Sequence, residues 1–462
     1  MSLMKTFNKE SILKFYPYKI FNINDSIYLY TINASGLFEI DERILELLKN
    51  DGRVMEDIFM DLQNMFTFEE FIDVLHSMAE EKFLKFDDDI IERKDYNHKI
   101  SGLTLMIVQE CNMRCSYCYG HNGEYNNKGK MSNEVALKAV DFLVENSDKD
   151  NLSIAFLGGE PLLNMDLVKN VVQYSKDIGE KKKKKFTFTI TTNGTLIDAE
   201  TEKYLTDNHI VTQISIDGSK DKHDANRYFD NKKGSYDTVI NNTKSMREKS
   251  MVTARATISN NNFSYIDIFE HLQSLGFRAI PIAIAQNMID DSEYSKVIDS
   301  YRDYIGHFHK LVKNKEYSKA RKMTDIIVAM EKIEFASERN SGCGAAKHMY
   351  AVDIDGNLYP CHRFVSNKEY SLGSIYDGVS LKRDKFISDI NISSRPHCKE
   401  CWAQNLCLGG CPYENTLDGN EYNFKERNCE LMKMLYEELL RIYVSFDDID
   451  KKEIFSQSKQ IK

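Results

Sequence analysis

VQECNMRCSYCYG, residues 108–120, decides how the rest of the chain is read. It sets Cys111, Cys115 and Cys118 in C-x3-C-x2-C spacing directly after an apolar run, Leu103 to Val108, that reads as a strand. Thiols in a loop at the C-terminal end of a strand occupy the face on which α/β barrels place their active sites. Three thiolates on an iron-sulfur cubane leave one iron without a protein ligand, and such an open position admits a small molecule. A structural zinc ion is the rival occupant. It wants four protein ligands, and the nearest candidate for a fourth is His121.

Outward from that loop the pattern alternates β and α, which argues for parallel strands joined by crossover helices. The spacing predicts strands at Leu103 to Val108, Leu152 to Leu157, Phe186 to Thr192, Val211 to Ile216, Val252 to Ile258 and Ala279 to Ala285. Between them, Ser132 caps a helix with Val135, Ala139, Phe142 and Leu143 on its apolar face, and Leu167, Val171 and Tyr174 mark the next. The lysine run from Lys181 to Lys185 reads as a solvated loop. Six such units make an incomplete (β/α)6 barrel of TIM type over residues 99–290.

Residues 1–98 hold no cysteine and read as a small separate domain. A strand-like segment from Tyr18 to Thr31 precedes helical patterns, with Phe71, Val74, Leu75 and Met78 on one face and a closing strand expected at Lys82 to Phe86. Asp87, Asp88 and Asp89 and the polar stretch from Glu92 to Lys99 supply the boundary. A charged helical bridge, residues 291–335, leads to a region at 336–445 with seven of the ten cysteines, and 446–462 reads as a polar tail.

With 462 residues, the chain is long enough for about three domains. A net charge of -10 and a pI near 5.7 argue against nucleic acid as the partner, since phosphate binding needs cations. No run approaches the ~20 apolar residues of a membrane span, and no apolar signal segment opens the sequence, so a cytoplasmic protein is expected. Cysteines in a reducing compartment are poor disulfide candidates, and their tight spacings point to metal or catalysis.

The motif with Tyr117 before the last cysteine resembles that of the radical S-adenosylmethionine (SAM) enzymes, and further matches follow in order. Gly158-Gly159-Glu160-Pro161 follows the second strand, where glycines allow close backbone approach and a carboxylate suits the SAM ammonium. Asn193 ends the third strand, and Ser215 and Asp217 end the fourth; these are similar to segments lining the SAM pocket. His223 to Arg227, reading HDANR, resembles a segment whose arginine meets a carboxylate, although a helix-capping role would explain Arg227 equally well. The resemblance implies that a reduced 4Fe-4S cluster on Cys111, Cys115 and Cys118 cleaves SAM to a 5'-deoxyadenosyl radical, with an electron from a flavodoxin- or ferredoxin-type reductant.

Cys343 precedes two strand patterns joined at Asp355-Gly356, a hairpin that returns Cys361 towards it, and Cys398, Cys401, Cys407 and Cys411 form C-x2-C-x5-C-x3-C before Cys429. A zinc ribbon is one reading of these. The whole arrangement resembles the SPASM domain of radical SAM enzymes that act on peptides. The resemblance implies one fully ligated 4Fe-4S cluster on Cys398, Cys401, Cys407 and Cys429, and another on Cys343, Cys361 and Cys411 that is open to a substrate thiolate or completed by His348 or His362. The first 98 residues resemble a winged-helix-like leader-binding domain, and the Pro360 to Val365 segment resembles thioether-forming sactipeptide and ranthipeptide maturases. The expected activity is therefore thioether formation in a ribosomal, cysteine-rich precursor peptide bearing a leader. Carbon-carbon cross-linking, formylglycine formation by a sulfatase-maturating enzyme, and a non-catalytic iron-sulfur or zinc scaffold are the alternatives. Sulfatase-maturating enzymes carry an aspartate where this chain has His362.

Overall fold

The computed structural model describes residues 7–32, 36–85, 99–260, 262–335, 342–416 and 426–456. Six parallel strands, Gly102–Gln109, Asn151–Gly158, Lys185–Thr192, Val211–Ser215, Val252–Ile258 and Ile282–Ile284, lie side by side in chain order. Every residue of the first is buried, as suits a strand covered on both faces. Ser132 caps helix Asn133–Glu145 by accepting from the Val135 amide, and the helix buries Ala136, Ala139, Val140, Phe142 and Leu143. Helix Met165–Lys182 packs Leu167, Val168, Val171 and Val172 beside it and ends at Lys183, whose φ is 55°. Lys181 and Lys182 thus form a last helical turn rather than the expected loop, placed where cations oppose the helix dipole.

The sixth strand is shorter than the expected Ala279 to Ala285. Pro281 has no amide proton, and the Ile280 amide donates to the Lys322 carbonyl instead, so regular pairing begins at Ile282. Helices Tyr294–Lys313 and Thr324–Glu334 follow. The chain then returns to the barrel: Met349–Val352 lies parallel to the first strand, Met349 opposite Gly102 and Val352 opposite Leu105. Through the turn at Gly356 (φ 90°) it pairs antiparallel with Leu358–Tyr359. The expected hairpin is therefore a seventh position of the barrel sheet, and it carries Cys361 to the first strand's flank.

The amino-terminal region contains an antiparallel sheet of Tyr18–Ile23, Ser26–Thr31 and Gly36–Ile40, with helices Glu42–Leu48, Met55–Leu62 and Phe68–Glu80. The single strand-like segment expected at 18–31 is a hairpin, turned at Asn24 with φ 52°. The closing strand reduces to one bridge between Leu84 and Phe15, while Phe86 and the boundary stretches at 87–89 and 92–98 lie outside the described residues. Leu29, Leu47, Ile58, Phe71 and Leu75 form its own core. Tyr16, Phe21, Tyr30 and Ile32 instead join the core of the main body.

Helix Glu426–Val444 spans the C-terminal region. The expected polar tail opens with a further helix, Asp448–Phe455, that buries Ile454 and Phe455, capped by Asp447 and tied down by Lys315 to Asp450 at 2.8 Å. Its apolar pair is too short to register as a periodic face. No helix among the described residues is long and apolar enough to cross a membrane.

Candidate functional site

The Cys111 to Cys118 loop leaves the C-terminal end of the first strand and is laced to the residues around Arg227. The Ser116 amide donates to the Asn226 carbonyl at 2.9 Å, the Ser116 hydroxyl to Asn226 Oδ1 at 2.8 Å, and the Arg114 amide to the Tyr228 carbonyl at 2.8 Å. The three thiols lie close enough for their charges to act on one another. Burial, with the Glu160 carboxylate next in effect, pushes the Cys111 thiol up to about 12, and burial pushes Cys115 up to about 11 against the pull of Arg227. Such thiols bind metal by releasing protons. His121, the rival fourth ligand, is exposed in a left-handed turn.

The Gly158-Gly159-Glu160 segment is pressed on the same loop. A Cβ at Gly158, whose φ is 145°, would lie 2.0 Å from the Val108 carbonyl oxygen, and one at Gly159 would lie 2.1 Å from that of Glu110. Only glycine permits this approach. Glu160 is fully buried: Oε1 accepts from the Leu162 amide at 3.0 Å and the Thr192 hydroxyl at 2.6 Å, and Oε2 from the Asn193 amide at 2.7 Å. Burial pushes its carboxyl up to about 7 despite those donors. Among the described residues no cation pairs with it, so the carboxylate fits a ligand ammonium. Asn193 bonds Asn112 of the thiol loop at 2.8 Å and stands 4.0 Å from the Cys111 sulfur.

Asp217 and Arg227, both read as cofactor contacts, are brought together. Asp217 is wholly buried and accepts from Arg227 Nε at 3.0 Å, from the Thr257 amide at 3.0 Å and from the Tyr117 hydroxyl. Arg227 also lies over the Tyr117 ring, 5.2 Å from its centroid. Asp217 is thus engaged within the chain, where it positions Tyr117 and Arg227. Arg227 holds the C-cap position of helix Lys220–Asn226, its amide donating to the His223 carbonyl at 2.8 Å, while its side chain reaches this carboxylate. Nearby, His223 accepts from the Asp217 amide at Nδ1, and burial with Arg227 holds it down at about 3, so it is neutral and Nε2 donates to Ser235. Ser215 closes the fourth strand in register with Arg255 of the fifth.

The seven C-terminal cysteines separate into two sets by their mutual electrostatic effects. Cys343, Cys361 and Cys411 form one, and Cys398, Cys401, Cys407 and Cys429 the other. None of the ten is in a disulfide, and Cys343 and Cys411 are exposed. Among the described residues no three His, Cys, Asp or Glu side chains converge tightly enough for a single metal ion. His362, expected as a possible ligand beside Cys361, is held neutral by burial, down at about 4, with its ring 5.9 Å from Tyr119.

Sequence reasoning missed the residues that join these sites. Arg363 pairs with Glu414, stands 3.9 Å from the Cys411 sulfur, and lies over the rings of Tyr413 at 4.6 Å and Tyr119 at 5.3 Å. Tyr119 directly follows Cys118, so one aromatic and cationic stack links the first loop to the Cys343 set. A cavity of 630 Å³ beside it is lined by Tyr265, Ile284, Tyr301, Arg363, Cys407 and Cys411 among others.

The chain matches the Radical SAM superfamily over residues 105–272. It is 26% identical over 361 residues to the cysteine-type anaerobic sulfatase-maturating enzyme of Clostridium novyi, covering 73% of this chain and 94% of that protein. It is 24% identical over 490 aligned positions to the radical SAM cyclopropyl synthase TigE of Paramaledivibacter caminithermalis, covering 94% and 96%. An uncharacterized protein of Methanocaldococcus jannaschii is 30% identical over 227 residues, 46% of this chain and 76% of that one. The solved structure of native anSMEcpe with bound AdoMet and Cp18Cys peptide superposes with a TM-score of 0.64 at 21% identity, over 75% of this chain and all of that one. The thiol loop at the head of a partial barrel, the glycine cradle with its buried carboxylate and these likenesses agree: the chain belongs to the radical SAM superfamily of iron-sulfur, SAM-binding enzymes.

Proposed function

We propose that this enzyme joins a cysteine sulfur of a peptide to one of the peptide's carbons, using three 4Fe-4S clusters. Cys111, Cys115 and Cys118 hold the first, with its fourth iron left to SAM. Glu160 receives the SAM ammonium, the glycines admit the cofactor to the backbone, and Asn193 and Ser215 line its pocket. Tyr117, Asp217 and Arg227 fix the thiol loop beneath it. When bound, cluster and SAM supply a 5'-deoxyadenosyl radical able to take hydrogen from an unactivated carbon. Cys398, Cys401, Cys407 and Cys429 hold a closed cluster.

The observation that carries the thioether reading is the Cys343, Cys361 and Cys411 set. It has three thiols, two of them exposed, and it is joined by Tyr119 and Arg363 to the SAM loop. A substrate thiolate completing that set is held within reach of the chemistry. For each cross-link the C-H hydrogen would leave on 5'-deoxyadenosine, the thiol proton to solvent and the remaining electron to an auxiliary cluster, so that one C-H and one S-H bond give way to one C-S bond and the peptide loses two hydrogens. The sulfatase-maturating relative supports a peptide substrate. However, the position after Cys361 is a neutral histidine here, which does not replace the carboxylate base of that group. The cyclopropyl synthase likeness spans nearly the whole chain and favours a second reading, carbon-carbon bond formation.

Anaerobic reconstitution with dithionite, SAM and a cysteine-rich peptide, sought among the short reading frames beside the gene, separates these. Thioether formation predicts about twelve irons per chain, 5'-deoxyadenosine, a peptide lighter by two hydrogens per cross-link and one fewer alkylatable thiol. The same mass loss with every thiol still alkylatable establishes the carbon-carbon reading. No 5'-deoxyadenosine at all overturns both.

A further inference from the structure

Three guanidiniums surround the space between the SAM loop and the Cys343 set. Two are matched by carboxylates of the chain, Arg227 by Asp217 and Arg363 by Glu414. Among the described residues, the third, Arg255, has no acceptor within hydrogen-bond distance and no carboxylate within ion-pair distance. It stands in the fifth strand, beside Ser215, with Thr253 and Thr257 on the same face by alternation. Arg255 is exposed, although Ala254 and Ala256 on either side of it are fully buried. Alternation sets it on the face opposite those alanines, open to the space that it shares with Tyr119, Arg363 and Arg227, which we call the chamber. The ionisable groups that act on it most are Tyr119, Arg363, Asp325 and Arg227, so it looks across the chamber towards the Cys343 side as well as the SAM side. Burial, with the like charges of Arg363 and Arg227, lowers its affinity for its own proton.

Asp325 does not discharge it. The carboxylate is turned to Tyr304, whose hydroxyl donates to Oδ1 at 3.5 Å, and Oδ2 is buried without a partner. Burial pushes Asp325 up to about 7. Its donors, left without an acceptor from the chain, suit a ligand carboxylate, which the planar fork of a guanidinium binds through two hydrogen bonds.

We propose that Arg255 is the carboxylate receptor of the reaction chamber. The carboxylate is carried either by the methionine end of SAM or by the peptide substrate, and the inference takes those two ligands from the function proposed above.

The test uses the reconstituted full chain and its Arg255→Gln and Arg255→Lys variants, with iron content and visible spectra showing that the clusters load. Equilibrium dialysis compares SAM with decarboxylated SAM. Peptide KM is measured with the cysteine-rich peptide used in the assay above and with versions whose acidic residues are replaced by amides. If the carboxylate is that of SAM, wild type prefers SAM to its decarboxylated form at least tenfold, and Arg255→Gln abolishes that preference. If it belongs to the peptide, SAM affinity is unchanged, KM rises at least tenfold, and one amide-substituted peptide reproduces the loss in wild type with no further loss in the variant. Arg255→Gln within twofold of wild type in both comparisons overturns the inference. Should it fail to load iron, Arg255→Lys, which keeps the charge and loses the fork, decides by the same criteria. A wild type that cleaves SAM and ignores the peptide defeats the proposed substrate class, and SAM dialysis alone then decides Arg255: unchanged affinity overturns its role.

Discussion

Glu160 carries a fully buried carboxylate with no cation beside it among the described residues. Its carboxyl is ordinarily near 4.5 and is pushed up to about 7 here. Between those values the folded chain keeps a proton that the unfolded chain has lost, so the stability of SAM-free protein falls as pH rises from 4.5 to 7 and stays lower above. Roughly 2.5 units correspond to about 3 kcal/mol. Glu160→Gln removes this dependence. The variant should be more stable than wild type at pH 7.5 by about 1–3 kcal/mol and no more stable at pH 4.5, measured by urea midpoints without SAM. It should also bind SAM at least tenfold more weakly, about 1.4 kcal/mol. Parallel pH profiles for the two proteins would refute the idea that the charge is unbalanced. The placement of Glu160 beside the thiol loop was legible because GGEP follows a strand. Arg255 was not: a lone arginine in an alternating strand has no motif, and only the chamber around it makes it notable.

At the scale of elements, local pattern and long-range pairing were legible to different degrees. Alternation and turn residues placed all six barrel strands, and cysteine spacing, read through the SPASM likeness, anticipated the thiol sets. The pairing of Met349–Val352 with Gly102–Gln109 joins residues some 250 apart and leaves no local trace. The hairpin at 18–31 was hidden because Asn24-Asp25 interrupts an otherwise continuous apolar alternation. The cradle between the first two strands gives a sharper test. At Gly159 an added methyl meets backbone on two sides, Glu110 oxygen at 2.1 Å and Gly123 oxygen at 2.7 Å, so neither can yield by side-chain rotation. Gly159→Ala must displace the loop that begins at Cys111. We expect a stability loss of about 1–3 kcal/mol and, with the three proposed clusters, reconstitution that stops near two-thirds of the wild-type iron, the two proposed for the C-terminal cysteines being retained. Full iron content with an unshifted melting temperature would show that the cradle is not tight.

Over the whole molecule, the amino-terminal sheet is fastened to the most cysteine-rich loop. Trp402, between Cys401 and Cys407, meets the ring of Tyr30 edge-on at 6.3 Å with Lys19 over it at 5.8 Å. Asn405 donates to the Ile32 carbonyl, Lys19 pairs with Glu437 at 2.8 Å, and Arg441 donates to the Asn22 carbonyl at 2.8 Å. Glu437 and Arg441 belong to helix Glu426–Val444, which also carries Cys429. The sheet of the region that resembles a leader-binding domain therefore leans on two of the segments proposed to hold the closed cluster. Exposed ion pairs contribute little by themselves, so the aromatic contact is the part to remove. Trp402→Ala should raise hydrogen exchange in strands 18–23 and 26–31 and in helix 426–444, while the barrel strands keep their protection. Because Cys401, Cys407 and Cys429 lie on the loosened segments, iron should leave the variant faster under a chelator, by about four atoms per chain, before the remaining clusters are lost. Faster exchange confined to the amino-terminal sheet, with iron loss at the wild-type rate, would mean that the sheet rests on this loop without steadying it.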